Sequence, residues 1–140
     1  KSKIRVTEIG RKSKFPFEIQ YKELLHATVC YGYRLAAGGS SMAFCTDTGP
    51  CKAISALAKN ADVLIAESSL PPGTIDSGWP HLNPEQAAKA AKTSKAKKLV
   101  LVHFDAGDYT KENDIRLAEK SARKIFKNTV AARDGFSLEI

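Results

Sequence analysis

Three histidines and one aspartate stand where apolar runs of the sequence end. His26 follows FEIQYKELL, Asp47 follows SSMAFCT and His103 follows KKLVLV. His81 lies in a loop just before a predicted helix. In sheets that are covered by helices, ligands bind in the crevice at the carboxyl ends of the strands. Imidazole and carboxylate groups that meet at such a crevice favour a divalent metal site.

The elements that position these residues begin with a predicted β-meander over about residues 1–46. Alternating apolar residues and intervening turn residues predict consecutive antiparallel strands, the last two joined through Gly38-Gly39. The predicted strands are Ile4–Ile9, Phe15–Leu25, Cys30–Ala36 and Ser40–Thr46.

After Asp47 the pattern predicts alternating helices and strands. The predicted helices are Pro50–Lys59, Pro84–Thr93 and Lys111–Phe126, and the predicted strands are Asp62–Ala66, Lys98–Val102, Thr129–Ala131 and Phe136–Glu139. Asn83 and Gln86 have the spacing of a capping box around the helix that begins at Pro84. The sequence therefore predicts a single domain, residues 1–140, of the α/β (α+β) class, a β-sheet covered by helices.

The longest irregular segment is predicted over Ser68–Leu82, which contains His81. Loops of this length in compact domains are often functional lids or walls. Glu67 ends the preceding strand, so its carboxylate could orient a ligand or form a hydrogen bond within the loop.

Composition and charge limit the classes of protein. The fractions of 43% hydrophobic and 26% charged residues are ordinary for a globular domain. No apolar run approaches the ~18 residues needed to cross a bilayer, so the sequence predicts a cytoplasmic protein without membrane contact. The three cysteines form no C-x-x-C pair and are expected to be structural thiols.

The net charge of +7, from 22 basic and 15 acidic residues, favours an anionic partner such as RNA or a phosphate ester. The two main basic clusters lie on predicted helices, however, and solvated helix faces explain them better than a nucleic-acid surface does.

Five motifs in this order resemble the metallo-β-lactamase superfamily, and within it the ribonuclease Z-like branch. The first motif is Leu25-His26 with Cys30–Leu35 (CYGYRL). The other four are Cys45–Pro50 (CTDTGP), Ala61–Glu67 (ADVLIAE), His81–Ala88 (HLNPEQAA) and Leu99–Phe104 (LVLVHF). The resemblance implies that the chain forms the C-terminal part of an αββα sandwich.

The resemblance also implies a metal site and roles for its residues. By their places in the motifs, His26, Asp47 and His103 match metal ligands, and Asp47 matches the carboxylate that bridges two divalent ions. Zinc suits these ligand types, with manganese or iron as alternatives. A metal-bound hydroxide would be the nucleophile, so Asp47 also counts as catalytic, and His81 matches the histidine beside the leaving group.

Two departures from the family pattern shape the expectation. The superfamily's His-x-His-x-Asp-His cluster is absent from these 140 residues, and the chain starts at Lys1 rather than at a methionine. We therefore expect an incomplete domain that pairs with a missing N-terminal half or forms a homo-oligomer. In addition, a short hairpin through Gly38-Gly39 replaces the long arm with which ribonuclease Z enzymes of the usual bacterial type clasp tRNA.

The leading functional hypothesis is a metal-dependent hydrolase, either a phosphodiesterase or a ribonuclease Z-like enzyme. A lactone or thioester hydrolase on the same fold is the nearest alternative. A non-catalytic module that binds RNA or a partner subunit is the alternative from another class of protein.

Overall fold

A single six-stranded sheet organises the computed structural model, which describes Ile9 and residues 14–140. The strands are β1 Glu18–Glu23, β2 Tyr31–Ala37, β3 Ser40–Cys45, β4 Val63–Glu67, β5 Lys98–Val102 and β6 Thr129–Ala131. The helices are α1 Lys52–Leu57, α2 Pro84–Ser94 and α3 Glu112–Arg123. Each strand pairs with its neighbour in sequence, so the sheet order is β1-β2-β3-β4-β5-β6.

The sheet changes from antiparallel to parallel pairing at β3. Strands β1, β2 and β3 pair antiparallel, and Gly38 and Gly39 form their tight turn with φ of 60° and 85°. From β3 onward the strands pair in parallel, because a helix crosses over between each successive pair. The carboxyl ends of β3, β4 and β5 therefore meet at one edge of the sheet.

The hydrophobic core lies between one face of the sheet and the three helices. Inward-facing sheet residues such as Cys45, Leu64 and Leu101 pack with Ile54 of α1 and Ala91 of α2 in one buried cluster. The small alanines of α2 let this helix approach the sheet closely. This packing buries most residues of the central strands β4 and β5.

The opposite, outer face of the sheet carries a row of apolar side chains. Tyr33, Phe44, Ile65 and Val100 are paired across successive strands, so they project from the same face. Phe44 is 39% exposed, and Tyr33 and Ile65 are partly exposed.

Helix α2 has the caps that the sequence predicted. Asn83 accepts a hydrogen bond from the Gln86 backbone N–H at 2.8 Å, and the Gln86 side chain accepts one from the Asn83 N–H at 2.9 Å. Lys95 ends the helix in the left-handed region with φ 58°. The predicted capping box is confirmed, and it fixes the end of the loop that leads into α2.

Other element boundaries differ from the sequence prediction. Residues 136–140 are described and form no strand, so the strand predicted over Phe136–Glu139 is wrong. All five residues are exposed, and none of them pairs with a strand of the sheet. The first described strand is shorter than predicted, Glu18–Glu23 instead of Phe15–Leu25. The strand predicted over Ile4–Ile9 lies outside the described residues except for Ile9. No helix among the described residues is long and apolar enough to cross a bilayer.

Asp62 joins three strands at the edge opposite the carboxyl ends. Its carboxylate accepts hydrogen bonds from the Ser41 N–H at 2.8 Å and from the Lys97 ammonium at 2.7 Å. The Lys97 hydrogen bond, followed by the Ser41 N–H, lowers the pKa of Asp62. Because the pKa of Asp62 is lowered on folding, its ionised carboxylate stabilises the folded chain. This stabilisation is present above the pKa of Asp62 in the unfolded chain and is lost as pH falls through its pKa in the folded chain.

We therefore expect Asp62→Asn to lower the melting temperature at pH 7 and to have a smaller effect near pH 3. Thermal unfolding of the parent and the variant at both pH values measures this difference. Lys97→Met removes the main cause of the shift and should weaken the pH dependence of the parent chain. An equal destabilisation by Asp62→Asn at both pH values would show that the carboxylate charge does not contribute.

Candidate metal centre

Three of the four residues singled out in the sequence converge at the carboxyl edge of the parallel strands. Asp47 lies two residues after β3, His103 follows β5 directly, and His81 lies in the loop between β4 and α2. One ligand atom from each of these residues lies within 4.8 Å of the others. The parallel pairing of β3, β4 and β5 explains why side chains far apart in sequence meet here.

The backbone at this edge is held in an unusual conformation. Asp47 has φ 52° and His103 has φ 55°, both in the left-handed region that non-glycine residues rarely adopt. Such a conformation costs about 1–2 kcal/mol per residue. Backbone strain of this kind is typical of functional sites, where the surrounding fold compensates for it.

Asp47 and His103 contact each other at the open side of the site. The distance from His103 Nε2 to Asp47 Oδ1 is 2.9 Å, and the two side chains are 44% and 46% exposed, respectively. A carboxylate and an imidazole in contact and open to solvent are accessible to an incoming ion or substrate.

His81 is buried and is held by a buried carboxylate. Glu67, at the end of β4, is fully buried, and its two oxygens lie 3.1 and 3.0 Å from His81 Nδ1. The same carboxylate accepts hydrogen bonds from the backbone N–H of Leu82 at 3.1 Å and from that of Thr48. Glu67 thus fixes both the histidine loop and the residue that follows Asp47, and Nδ1 of His81 is the donor to Glu67. The nitrogen that remains for chemistry is Nε2.

His26 approaches the site but does not belong to the group of three. Its ring centroid lies 5.5 Å from that of His81, and its Nδ1 contacts the Thr28 hydroxyl at 3.3 Å. The predicted metal ligand His26 is therefore next to the cluster, whereas His81, predicted as the acid, has a ligand atom within it. The metal assignments of His26, Asp47 and His103 stay predictions.

The Cys30 thiol, whose pKa is influenced by burial and by the charge of Asp47, is not an activated nucleophile. Burial raises the pKa of the Cys30 thiol, and the charges of Asp47 and Glu67 raise it further. Its sulfur donates to the Thr46 carbonyl at 3.3 Å. Burial raises the pKa of Cys45 to about 12, so both groups are neutral thiols at physiological pH.

The residues present fit a divalent metal ion. Two imidazoles and one carboxylate are the donor types that zinc and related ions take, and all three have an atom near one point. A buried carboxylate on the second nitrogen of a histidine is also a common support around metal centres.

Comparison with known proteins places the chain in a family. Residues 2–104 match the beta-lactamase superfamily domain, and this range contains His26, Asp47, His81 and His103. The chain belongs to this superfamily. The metallo-β-lactamase resemblance inferred from the motifs is therefore confirmed.

Curated relatives point to the ribonuclease Z-like branch. A ribonuclease Z from Bacillus licheniformis is 41% identical over 104 residues, and one from Archaeoglobus fulgidus is 36% identical over 106 residues. Each match covers 73% of this chain and 33% of the relative. This chain therefore resembles ribonuclease Z in sequence, and it spans about a third of the length of these relatives.

Solved structures agree on the fold. The metallo-β-lactamase fold protein YhfI from Bacillus subtilis has a TM-score of 0.76 and 25% identity, covering 89% of this chain and 50% of that protein. The short form of human tRNase Z has a TM-score of 0.66 and 23% identity, covering 93% of this chain and 46% of its own. The predicted helix-covered sheet of a metallo-β-lactamase domain is confirmed.

The sequence indicated that Glu67 could orient a ligand or bond within the loop, but it did not identify His81 as the partner. The only signal was a carboxylate at the end of an otherwise apolar strand, VLIAE. A charged residue that is fully buried needs partners, and here they come from a loop whose path the sequence does not specify.

Proposed function

We propose that this chain carries part of the active site of a metal-dependent phosphodiesterase of the ribonuclease Z type. The observation that carries the proposal is the convergence of Asp47, His81 and His103 within 4.8 Å at the carboxyl edge of the sheet. Asp47, His103 and His26 would hold the divalent metal. Zinc is the proposed metal because histidine nitrogen and carboxylate oxygen are among its ordinary ligands. When bound, the metal would supply Lewis-acid activation of water and of the phosphoryl group.

His81 is assigned the role of general acid. Its Nδ1 donates to the buried Glu67 carboxylate, which fixes the ring and leaves Nε2 as the nitrogen that acts on the substrate. The proton on Nε2 would then pass to the oxygen that leaves from phosphorus. Burial of the pair keeps water away from both groups and fixes the direction in which His81 donates.

RNA is the proposed natural substrate. The curated relatives are named ribonuclease Z, and the net charge of +7 would attract a polyanion. The two-residue turn at Gly38-Gly39 offers no arm between β2 and β3, so the proposed contact is with the end of an RNA near the scissile bond. The cytoplasmic location inferred from the sequence is part of the same proposal.

The outer face of the sheet is proposed to pack against the second sheet of a sandwich. The row Tyr33, Phe44 and Ile65 is apolar and only partly covered, and the chain covers 50% of the structurally similar YhfI. The chain would then be one part of an αββα domain whose other part supplies further metal ligands. A dimer mass in light scattering would instead assign this face to a second copy of the chain.

A substrate panel tests the proposed function. The purified protein, loaded with Zn²⁺, is assayed on a 3′-extended RNA, on bis(p-nitrophenyl) phosphate, on a lactone and on a thioester. Hydrolysis of the two phosphodiesters above that of the other esters supports the proposal. Preferential hydrolysis of the lactone or the thioester would replace it with the alternative hydrolase, and RNA binding without turnover would indicate a binding module.

A further inference from the structure

Trp79 places a large exposed ring directly beside the candidate metal centre. Its side chain is 55% exposed, and its ring centroid lies 5.5 Å from that of His81 and 6.3 Å from that of His26. Burying an indole against apolar atoms is favourable, so an exposed indole at a polar site forgoes that stabilisation. Such a residue is a candidate contact for a ligand.

The backbone of Trp79 is fixed even though its ring is exposed. The Asp76 carboxylate accepts hydrogen bonds from the Gly78 N–H at 2.8 Å and from the Trp79 N–H at 3.1 Å. The Trp79 carbonyl accepts one from the His81 N–H at 2.9 Å. The position of the indole is therefore coupled to that of His81, two residues further along the loop.

The loop also packs tightly against the segment that carries Asp47. A Cβ atom built on Gly49 would lie 2.9 Å from Cβ of Pro80, so this approach depends on the absence of a side chain at residue 49. Trp79 therefore immediately precedes Pro80, the residue at which the loop packs closely against Gly49. A ring carried on a fixed backbone loses less entropy when a planar ligand stacks on it than one carried on a mobile loop.

The two neighbouring histidines do not stack face to face on the indole. The planes of His81 and His26 are inclined to that of Trp79 by 44° and 71°. Together with the exposure of the ring, this geometry leaves indole surface open to a flat group. A nucleotide carries a flat base next to its phosphate, and stacking on aromatic side chains is the common way in which proteins hold unpaired bases.

We propose that Trp79 stacks on the nucleobase next to the scissile phosphate and makes the site selective for nucleotide over simple sugar phosphodiesters. This inference rests on the proposed function, since it assigns the group that accompanies the phosphate at the same site. Trp79 acts as a specificity-determining residue, and His81 acts on the leaving oxygen.

The test uses the fluorescence of the indole itself, because Trp79 is the one tryptophan in the 140 residues. The chain is titrated with AMP and, as the matched control, with ribose 5-phosphate. Stacking predicts that AMP quenches the emission and that ribose 5-phosphate does not. In parallel, the affinity for a short oligoadenylate is measured for the parent, Trp79→Phe and Trp79→Ala. Since a stacked base contributes about 1–3 kcal/mol, Trp79→Ala should bind roughly 5- to 150-fold more weakly, and Trp79→Phe should retain most of the affinity.

Equal quenching by AMP and ribose 5-phosphate, or oligoadenylate binding by Trp79→Ala as tight as by the parent, would overturn the stacking role. The fluorescence titration uses the parent chain, so it is decisive even where Trp79→Ala fails to fold. Hydrolysis of the ester panel by the same preparations is recorded separately. Base-dependent quenching without hydrolysis of any ester would retain the stacking role and refute the proposed function, whereas hydrolysis without base-dependent quenching would do the opposite.

Discussion

Replacing Asp47 by asparagine is expected to reduce phosphodiester hydrolysis by at least about 10³-fold, because the variant lacks the charge that would hold two divalent ions. Asparagine is the closest substitute in shape, and it tolerates the left-handed conformation that Asp47 adopts at φ 52°. The fold should therefore survive while turnover and metal binding fall together. Steady-state rates at saturating Zn²⁺, with melting temperatures of both proteins, measure the separation.

Asn60 offers a matched control for this substitution. It has nearly the same backbone conformation, φ 53°, but lies after α1 and away from the three convergent residues. Asn60→Asp makes the reverse exchange of amide and carboxylate, and it should leave hydrolysis within about twofold of the parent, as surface substitutions usually do. Full activity in Asp47→Asn would remove Asp47 from the proposed mechanism.

Replacing His81 by alanine is expected to reduce hydrolysis of RNA by roughly 10²- to 10⁴-fold, the usual contribution of a general acid. The loss should depend on the leaving group, because p-nitrophenolate departs without a proton and a ribose oxygen does not. Hydrolysis of bis(p-nitrophenyl) phosphate should therefore fall much less than hydrolysis of RNA. Comparing the two substrates in one preparation cancels any loss of folded protein.

Glu67→Gln should give the same dependence on leaving group, since Glu67 acts through His81. It should also lower the free energy of unfolding by about 1–3 kcal/mol, because an amide cannot accept from all of the donors that now face the carboxylate.

Zinc affinity distinguishes between His81 as a general acid and His81 as a metal ligand, the two roles that the geometry allows. Unchanged affinity in His81→Ala supports the acid, and a large loss with both substrates equally slowed would make His81 a metal ligand instead.

Much of the scaffold could be predicted from sequence because its signals are local. The capping box at Asn83 and Gln86, the turn at Gly38-Gly39 and the apolar runs of β4 and β5 each specify an element through nearby residues. The strand predicted over Phe136–Glu139 failed because alternation alone does not supply a pairing partner for a strand. The structure pairs β6 with β5, and the chain beyond β6 has no such pairing.

The sequence predicted the location of the site better than it predicted which of its side chains contact each other. Asp47 and His103 follow apolar strands, and the parallel order of β3, β4 and β5 brings them into contact. The pairing of Glu67 with His81 depends on how the loop of residues 68–82 returns to the sheet, which no local pattern encodes. The exposure of the Trp79 indole likewise depends on tertiary geometry, because no local pattern specifies which side chains of a loop stay open to solvent.

Titration with Zn²⁺ shows whether Asp47 holds a metal ion. The parent and Asp47→Asn are each treated with a chelator to remove bound metal and are then titrated in a calorimeter. The metal content of each titrated protein is measured by elemental analysis. A metal site that includes Asp47 should give saturable binding by the parent and an affinity at least about tenfold lower in Asp47→Asn, as expected for the loss of a ligand. Zinc binding that is absent from the parent, or equal in the two proteins, would contradict it.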